Sequence, residues 1–287
     1  MNLSEFYSRY SDEQSCISFL KNHLEKKVSC CSKCSAKKLV WKESFAGWRC
    51  AKCSTRISLK SISFMRDSNL SFVEWMELIF LVLHGKKSRS ISEILRLSRQ
   101  TRHDTVSYAV KKIRQELIDT KLKADAEFYD LIEFDHDSDE IGLNSIDTPG
   151  IPTTIKIFIK PSKLKRQDQI YLEISGKYHL DILSTKISRH LSPQYRHKKL
   201  CTIKIKNEES NSLPSTINHL WKKKVKENFI KSVKGIHHNL SLLFMQGVLN
   251  EYCFKYNLRN SSLDPLSAFM QLFETNVRQN CGESKTT

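Results

Sequence analysis

The stretch CSKCSAKKLVWKESFAGWRCAKC, residues 31–53, governs how the rest of the chain is read. Two close pairs, Cys31 with Cys34 and Cys50 with Cys53, flank fifteen residues that include Trp41 and Trp48. A CxxC pair is the natural bite for one tetrahedral zinc ion, and two pairs complete a four-sulfur site. Cys30 stands beside Cys31 and is an alternative first ligand, which would open the first pair by one residue. Leu39, Val40 and Trp41 predict a short strand, Gly47 a hairpin turn and Trp48 the return strand, with Ile57, Leu59 and Ile62 continuing into a third. A ribbon this small buries little, so the metal should supply a large part of its folding energy. Just upstream, residues 12–26 predict an amphipathic helix whose apolar side carries Cys16, Ile17, Phe19, Leu20 and Leu24 and covers one face of the ribbon.

Downstream, SNLSFVEWMELIFLVLHG (68–85) predicts a helix with Ser71 as N-cap, Glu74 three residues on, an apolar run, and Gly85 as the stop. In SISEILRLSRQTRHDTVSYAVKKIRQEL (90–117), a short helix starts at Ser90 or Ser92 and carries Ile91, Ile94, Leu95 and Leu97. Ser98 to Thr101 reads as a turn, and from Arg102 a longer helix puts Val106, Ala109, Val110, Ile113 and Leu117 on its inner stripe. Short helix, tight turn and longer cationic helix make a helix-turn-helix. From Leu83 to Gln115 nine Lys or Arg face only Glu93 and Asp104, more than a solvated surface needs. Gln100, Thr101, Arg102 and Thr105, at the front of the second helix, are the candidate base contacts. Lys86, Lys87, Arg89, Lys111, Lys112 and Arg114 are the candidates for neutralising phosphates.

Composition points the same way. The chain has 287 residues, enough for a small N-terminal module and a larger second domain, and a formal net charge of +16. Such a surplus predicts a polyanionic partner, most commonly nucleic acid. The longest apolar run, 78–83, is too short to span a membrane. The N-terminus lacks the apolar core of a signal peptide, so a reducing compartment is expected: nucleus in a eukaryote, cytoplasm or nucleoid in a bacterium. Nine cysteines there argue for metal ligands and free thiols, not disulfides.

Beyond Leu117 the charge reverses: Glu127 to Glu140 holds seven acids and no Lys or Arg. An acidic surface loop is one account of it; the other is a strand, FYDLIEFD, that presents Asp135 at its end as a ligand for magnesium. The segments 153–161, 168–175 and 199–207 predict strands, and 178–188 a strand or the start of a helix. A polar linker, 207–214, leads to three helical segments, 215–235, 237–260 and 263–277. The first carries six lysines from Lys222 to Lys234 against Glu227, and Lys222, Lys223, Lys224 and Lys226 are candidates for gripping more DNA backbone. The last has Ser262 or Asp264 as cap and Pro265 in its first turn.

These residues resemble Merlin-type transposases and their bacterial insertion-sequence relatives. One matching block is the ribbon, the following helix and the helix-turn-helix ending in KKIRQEL; the other is the C-terminal stretch around Trp221, Lys224, Gly235, His237, His238, Asn250, Glu251, Tyr252, Phe254, Tyr256, Asn257 and Arg259. The blocks cover roughly 28–117 and 212–260. The resemblance implies an RNase H-like catalytic domain, a mixed sheet flanked by helices, whose acids hold two divalent metals for DNA strand cleavage and joining. Asp135 takes the place of the first acid, with His136 where the family has an acidic neighbour. Asn218 stands where the third acid belongs, and no aspartate lies between Asp181 and the linker to supply the second. An amide offers a metal one neutral carbonyl and cannot act as a base.

The expected fold is therefore α+β: an N-terminal zinc ribbon and helix-turn-helix followed by a divergent, shortened RNase H-like mixed α/β domain. Residues 1–66 form the N-terminal helix and ribbon, 67–123 the DNA-binding region, 124–278 the degenerate transposase domain and 279–287 a flexible tail. The expected function is a transposase-derived protein that binds double-stranded DNA with its catalysis lost. It carries structural zinc, uses magnesium only if the catalytic site is intact, and by resemblance acts as a homodimer or higher oligomer. The alternatives are an active transposase with Asp135 as a metal ligand, and an RNA- or protein-interaction module in which the ribbon is a fold staple.

Overall fold

Helix α3, Phe72–Leu83, is buried on nearly every side, and the N-terminal part of the molecule is built around it. Its start is capped three times over. Ser71 accepts from the Glu74 N–H (3.2 Å) while the Ser71 N–H donates to the Glu74 carboxylate (2.7 Å), a reciprocal box. Glu13, from helix α2 (Glu13–Leu24), accepts the N–H groups of Phe72 and Val73 at 2.9 and 3.0 Å. All four N–H groups that a helix leaves open at its start, from Ser71 to Glu74, are thereby satisfied by side chains.

The computed structural model describes residues 2–25, 28–118, 127–134, 153–160, 169–175, 227–228, 231, 242–259 and 261–276. Among these, the protein is mixed α/β, with seven α-helices and two three-stranded sheets, and it divides into two compact units.

The first unit takes the described residues of Met1–His84, Ile91–Leu117 and Leu263–Thr287. Helix α1, Leu3–Arg9, was not foreseen. It is opened by an Asn2–Glu5 capping box and stacks Phe6 on Phe80 of α3 (ring centroids 4.4 Å apart). Strands β1 (Leu39–Lys42), β2 (Gly47–Cys50) and β3 (Arg56–Ser58) form an antiparallel meander in that order. The β1–β2 turn is a 3-10 turn at Glu43–Phe45 closed by Ala46 in the left-handed region (φ 45°), so Gly47 already lies in β2. Gly47 is required there because an added Cβ would sit 2.4 Å from the Ile57 carbonyl oxygen and 2.6 Å from Ser58 Cα. Helices α4 (Ile91–Leu97) and α5 (His103–Glu116) pack on α3 and on each other.

The closing helix runs Pro265–Asn276 and is capped by Asp264, which accepts from Leu266 and Ser267. Grouped with the third segment in the sequence reading, it belongs instead to the first unit. Phe269 and Phe273 close on Phe64, which also meets Trp75 of α3, so its apolar side is buried against residues some two hundred positions earlier.

The second unit takes Gly85–Ser90 and the described residues of Ile118–Ser262. Strands β4 (Glu127–Phe134), β5 (Thr153–Lys160) and β6 (Gln169–Ser175) form an antiparallel sheet in that order, with a register shift between Phe128 and Asp130. Helix α6, Leu242–Leu258, packs on β6. Its Asn257 side chain accepts from the Ile170 N–H (2.9 Å) and donates to the Ile170 carbonyl (3.0 Å), and Gln246 donates to the Leu172 carbonyl (3.0 Å). These bonds satisfy backbone groups that an edge strand otherwise leaves open. The described sheet is antiparallel throughout. The expected strands at 178–188 and 199–207 and the helix at 215–235 fall outside the described residues, apart from 227, 228 and 231. No helix among the described residues is long and apolar enough to cross a membrane.

Candidate metal centre and nucleic-acid interface

Cys31, Cys34, Cys50 and Cys53 converge: their sulfurs all lie within 4.8 Å of one another, with Cys31–Cys53 and Cys34–Cys50 at 3.5 Å. Four sulfurs around one zinc ion at about 2.3 Å would stand roughly 3.8 Å apart, so the donor set fits a tetrahedral four-sulfur centre. The two CxxC loops are built alike. The Ser35 N–H donates to the Cys31 carbonyl and the Ser54 N–H to the Cys50 carbonyl, at 2.9 and 3.0 Å. The Cys31 N–H then donates to Ala36 and the Cys50 N–H to Thr55, both at 2.9 Å. Each pair is followed by a serine in the left-handed region, Ser35 at φ 54° and Ser54 at φ 59°.

Hydrogen bonds already favour thiolate at two of the four positions. Backbone N–H groups of Lys33 and Cys34 lower the Cys31 thiol below its ordinary value. The Thr55 hydroxyl, followed by its N–H, lowers Cys53 to about 6. At Cys34 the Ala36 N–H pulls downward, but sharing with Cys53, burial and the other thiols carry it up to about 12. These four residues can hold a metal ion, and the centre is compatible with a zinc ribbon. A thiolate ligand is bound deprotonated, so metal binding would displace the Cys34 proton to solvent.

The turn between α4 and α5 is bolted to α3 by two carboxylates one helical turn apart. The Gln100 side-chain amide donates to Glu74 (2.7 Å), and its N–H donates to the Ser98 hydroxyl (3.3 Å). Burial pushes the Glu74 carboxyl up, but the Ser71 N–H and the Gln100 amide outweigh it and hold it below its ordinary value. Glu77, only 2% exposed, accepts from the Arg99 N–H (3.1 Å) and from the Tyr7 hydroxyl (2.6 Å), and the Arg99 Nε lies 3.7 Å from it. Arg99 also lies over the Tyr7 ring, 5.6 Å from its centroid. Burial first, then the bond to Glu77 and its charge, push Tyr7 up to about 12 against the pull of Arg99. An acid inside an apolar helical run was the signal for this node, and the sequence reading did not use it.

Thr101 and Arg102 are exposed ahead of α5, and Arg102 is its N-cap residue rather than its first turn. His103 and Asp104 are exposed in the first turn and Thr105 is half-buried. Val106, Ala109, Val110 and Ile113 are buried as expected, leaving Tyr108 (44% exposed) and half-buried Lys111 outside. Tyr108 was left out of the expected contact set; Lys112 lies 4.5 Å from its ring centroid and donates to the Arg66 carbonyl. Two expected contacts are placed differently from the solvent-facing roles read in the sequence. Gln100 is engaged with Glu74, and Arg114 is only 6% exposed because its position on α5 turns it toward the packed side. Lys86 and Lys87 are exposed and Arg89 half-buried, and the Lys87 carbonyl accepts from Lys255 (3.0 Å). Asp135, one position past β4, and Lys222, Lys223, Lys224 and Lys226 lie outside the described residues. Among known proteins, no family model matches the chain, and no curated protein or solved structure matches it either.

Proposed function

We propose that this chain is a DNA-binding protein of transposase descent, akin to the Merlin type it resembles, that reads duplex DNA with α4 and α5 and has shed strand-transfer chemistry. The observation that carries the reading is the α3–α4–α5 arrangement, in which the turn before α5 is fixed by Glu74 and Glu77 while Thr101, Arg102 and His103 stay exposed at its front. A recognition helix enters the major groove with its N-terminal residues against base edges, and these are the residues presented there. Thr101, Arg102 and Thr105 are the assigned base contacts, and Lys86, Lys87 and Lys111 take phosphates. The four-cysteine centre holds structural zinc, which stiffens the ribbon beside α3. The loss of catalysis rests on His136 and Asn218 standing where the resembled family carries acids.

The test is selection of bound sequences from a random duplex pool. The wild-type chain should enrich a defined motif, and Arg102→Ala should lose discrimination at one position by about 1–3 kcal/mol while still binding DNA. No enrichment by the wild type would overturn DNA reading. Magnesium- or manganese-dependent cleavage that Asp135→Ala abolishes would overturn the loss of chemistry.

A further inference from the structure

The metal-bearing sheet has two unlike faces. Trp48, Cys50 and Ile57 are buried on the inner one. There Lys21 of α2 lies 4.8 Å from the Trp41 ring, and Gln14 donates to Glu43 (3.1 Å). On the outer face the register puts Val40, Arg49 and Arg56 in one row across all three strands, with Lys42 two residues along β1 from Val40 and Lys38 just ahead of the strand. All five are exposed, and Lys38, Lys42, Arg49 and Arg56 make no ion pair among the described residues. Phe45 lies over Gly47 on this face, with the Arg56 guanidinium 5.5 Å from its ring centroid.

The charge balance here is one-sided. From Lys33 to Arg56 there are seven Lys or Arg, Lys33 included, set against the single acid Glu43. Glu43 accepts from Trp41 (2.8 Å) and Gln14, and among the described residues it forms no ion pair with any of the row. Neighbouring strands stand about 4.8 Å apart, so Arg49 and Arg56 are like charges held side by side. Cross-strand like charges destabilise a sheet, and this one is small enough to need a metal. A surface that keeps such repulsion without acids to relieve it suits a partner that brings a dense line of negative charge.

We infer that this outer face is a second DNA-binding surface that grips the phosphate backbone without reading sequence. It rests on the DNA-binding reading above but uses residues separate from α4 and α5. Duplex DNA is the favoured occupant because its phosphates match a flat cationic row with few hydrogen-bond acceptors of its own.

The experiment titrates the full-length, metal-loaded chain against a fluorescein-labelled duplex over a salt series. The variant combines Lys38→Gln, Lys42→Gln, Arg49→Gln and Arg56→Gln. Each lost phosphate contact removes about 0.9 from the slope of log affinity against log salt, so the slope should flatten by roughly 3 to 4. Preference for a selected motif over random duplex should be unchanged. The charge-keeping set Lys38→Arg, Lys42→Arg, Arg49→Lys and Arg56→Lys should retain the wild-type slope. Because four changes can upset a small ribbon, Lys38→Gln with Lys42→Gln serves as the milder variant, with an expected flattening of roughly 2 and metal content as the check on folding. A wild-type slope in both Gln variants, with Arg102→Ala still losing motif preference, overturns this surface and leaves the reading helix standing. A loss confined to single-stranded RNA, with the duplex slope intact, also overturns it. No duplex binding by the wild type overturns both.

Discussion

Glu77 offers the sharpest test of how the turn ahead of α5 is held. Glu77→Gln keeps the volume and one acceptor oxygen but removes the charge from a site that accepts from Tyr7 at 2.6 Å and from the Arg99 N–H at 3.1 Å. Hydrogen bonds to a charged group contribute about 1.5–3 kcal/mol and neutral ones about 0.5–1.5, so two weakened bonds should cost roughly 2 kcal/mol. At ~4 °C per kcal/mol for a unit of this size, the first thermal transition should fall by about 8 °C. Tyr7→Phe removes one of the same bonds, so in a double-mutant cycle the two changes should couple by more than about 0.5 kcal/mol. A pH signature accompanies this. The folded Tyr7 value, about 12, lies above its ordinary 10.0, so the fold favours the neutral phenol. Its contribution is whole below pH 10 and is lost as pH rises through about 12. Glu77→Gln should therefore lower the tyrosinate midpoint seen by ultraviolet titration, because two of the three raising causes come from Glu77. Additive stability losses together with an unmoved midpoint would refute the node.

Three further perturbations probe other parts. Cys50→Ser should lower bound metal from one ion per chain to none and expose Trp48, read by elemental analysis and a red shift in tryptophan emission; full metal retention would sink the four-sulfur centre. Gly47→Ala sets a Cβ 2.4 Å from the Ile57 carbonyl oxygen, so β2 and β3 must part at a cost of about 3 kcal/mol; an unchanged melting temperature would contradict the register. Asn257→Ala deletes both bonds to the Ile170 backbone and should destabilise the second unit by about 2 kcal/mol, with faster hydrogen exchange at the Ile170 amide; unchanged exchange there would refute the clamp.

Some elements could be read from local signals and others could not. Ser71 with Glu74 announced α3, and the alternation in TTIKIFIKP announced β5, because capping and side-chain period act over a few residues. The cysteine spacing located the four-cysteine cluster for the same reason. Helix α1 carried an equally local signal, Asn2 with Glu5, but at seven residues it is held by Phe6 on Phe80, a contact across most of the unit. The allegiance of the closing helix was hidden in the same way, since Phe269 and Phe273 find Phe64 only in three dimensions. On α5 the inner stripe was plain, whereas Arg114 sits at its flank, where periodicity alone does not decide between solvent and core. Gln100 looked like a base reader because polar residues at a turn look alike until their partner is known.

These placements tie the turn between α4 and α5 to the rest of the unit. Lys60, just past the ribbon, donates to the Leu70 carbonyl immediately ahead of α3, and Lys112 of α5 donates to the Arg66 carbonyl in the same connection. Glu13 ties α2 to the start of α3, while Gln14 and Lys21 of that same helix touch Glu43 and Trp41 in the ribbon. Glu74 and Glu77 then hand the position of α3 on to Gln100 and Arg99, the last ordered points before the exposed front of α5. Almost every link in this chain is polar and directional, and such bonds lose strength quickly with misalignment. The ribbon is therefore tied through α2 and α3 to the turn ahead of α5. The ribbon touches α2, α2 caps α3, and α3 holds the turn that leads to the exposed Thr101 and Arg102.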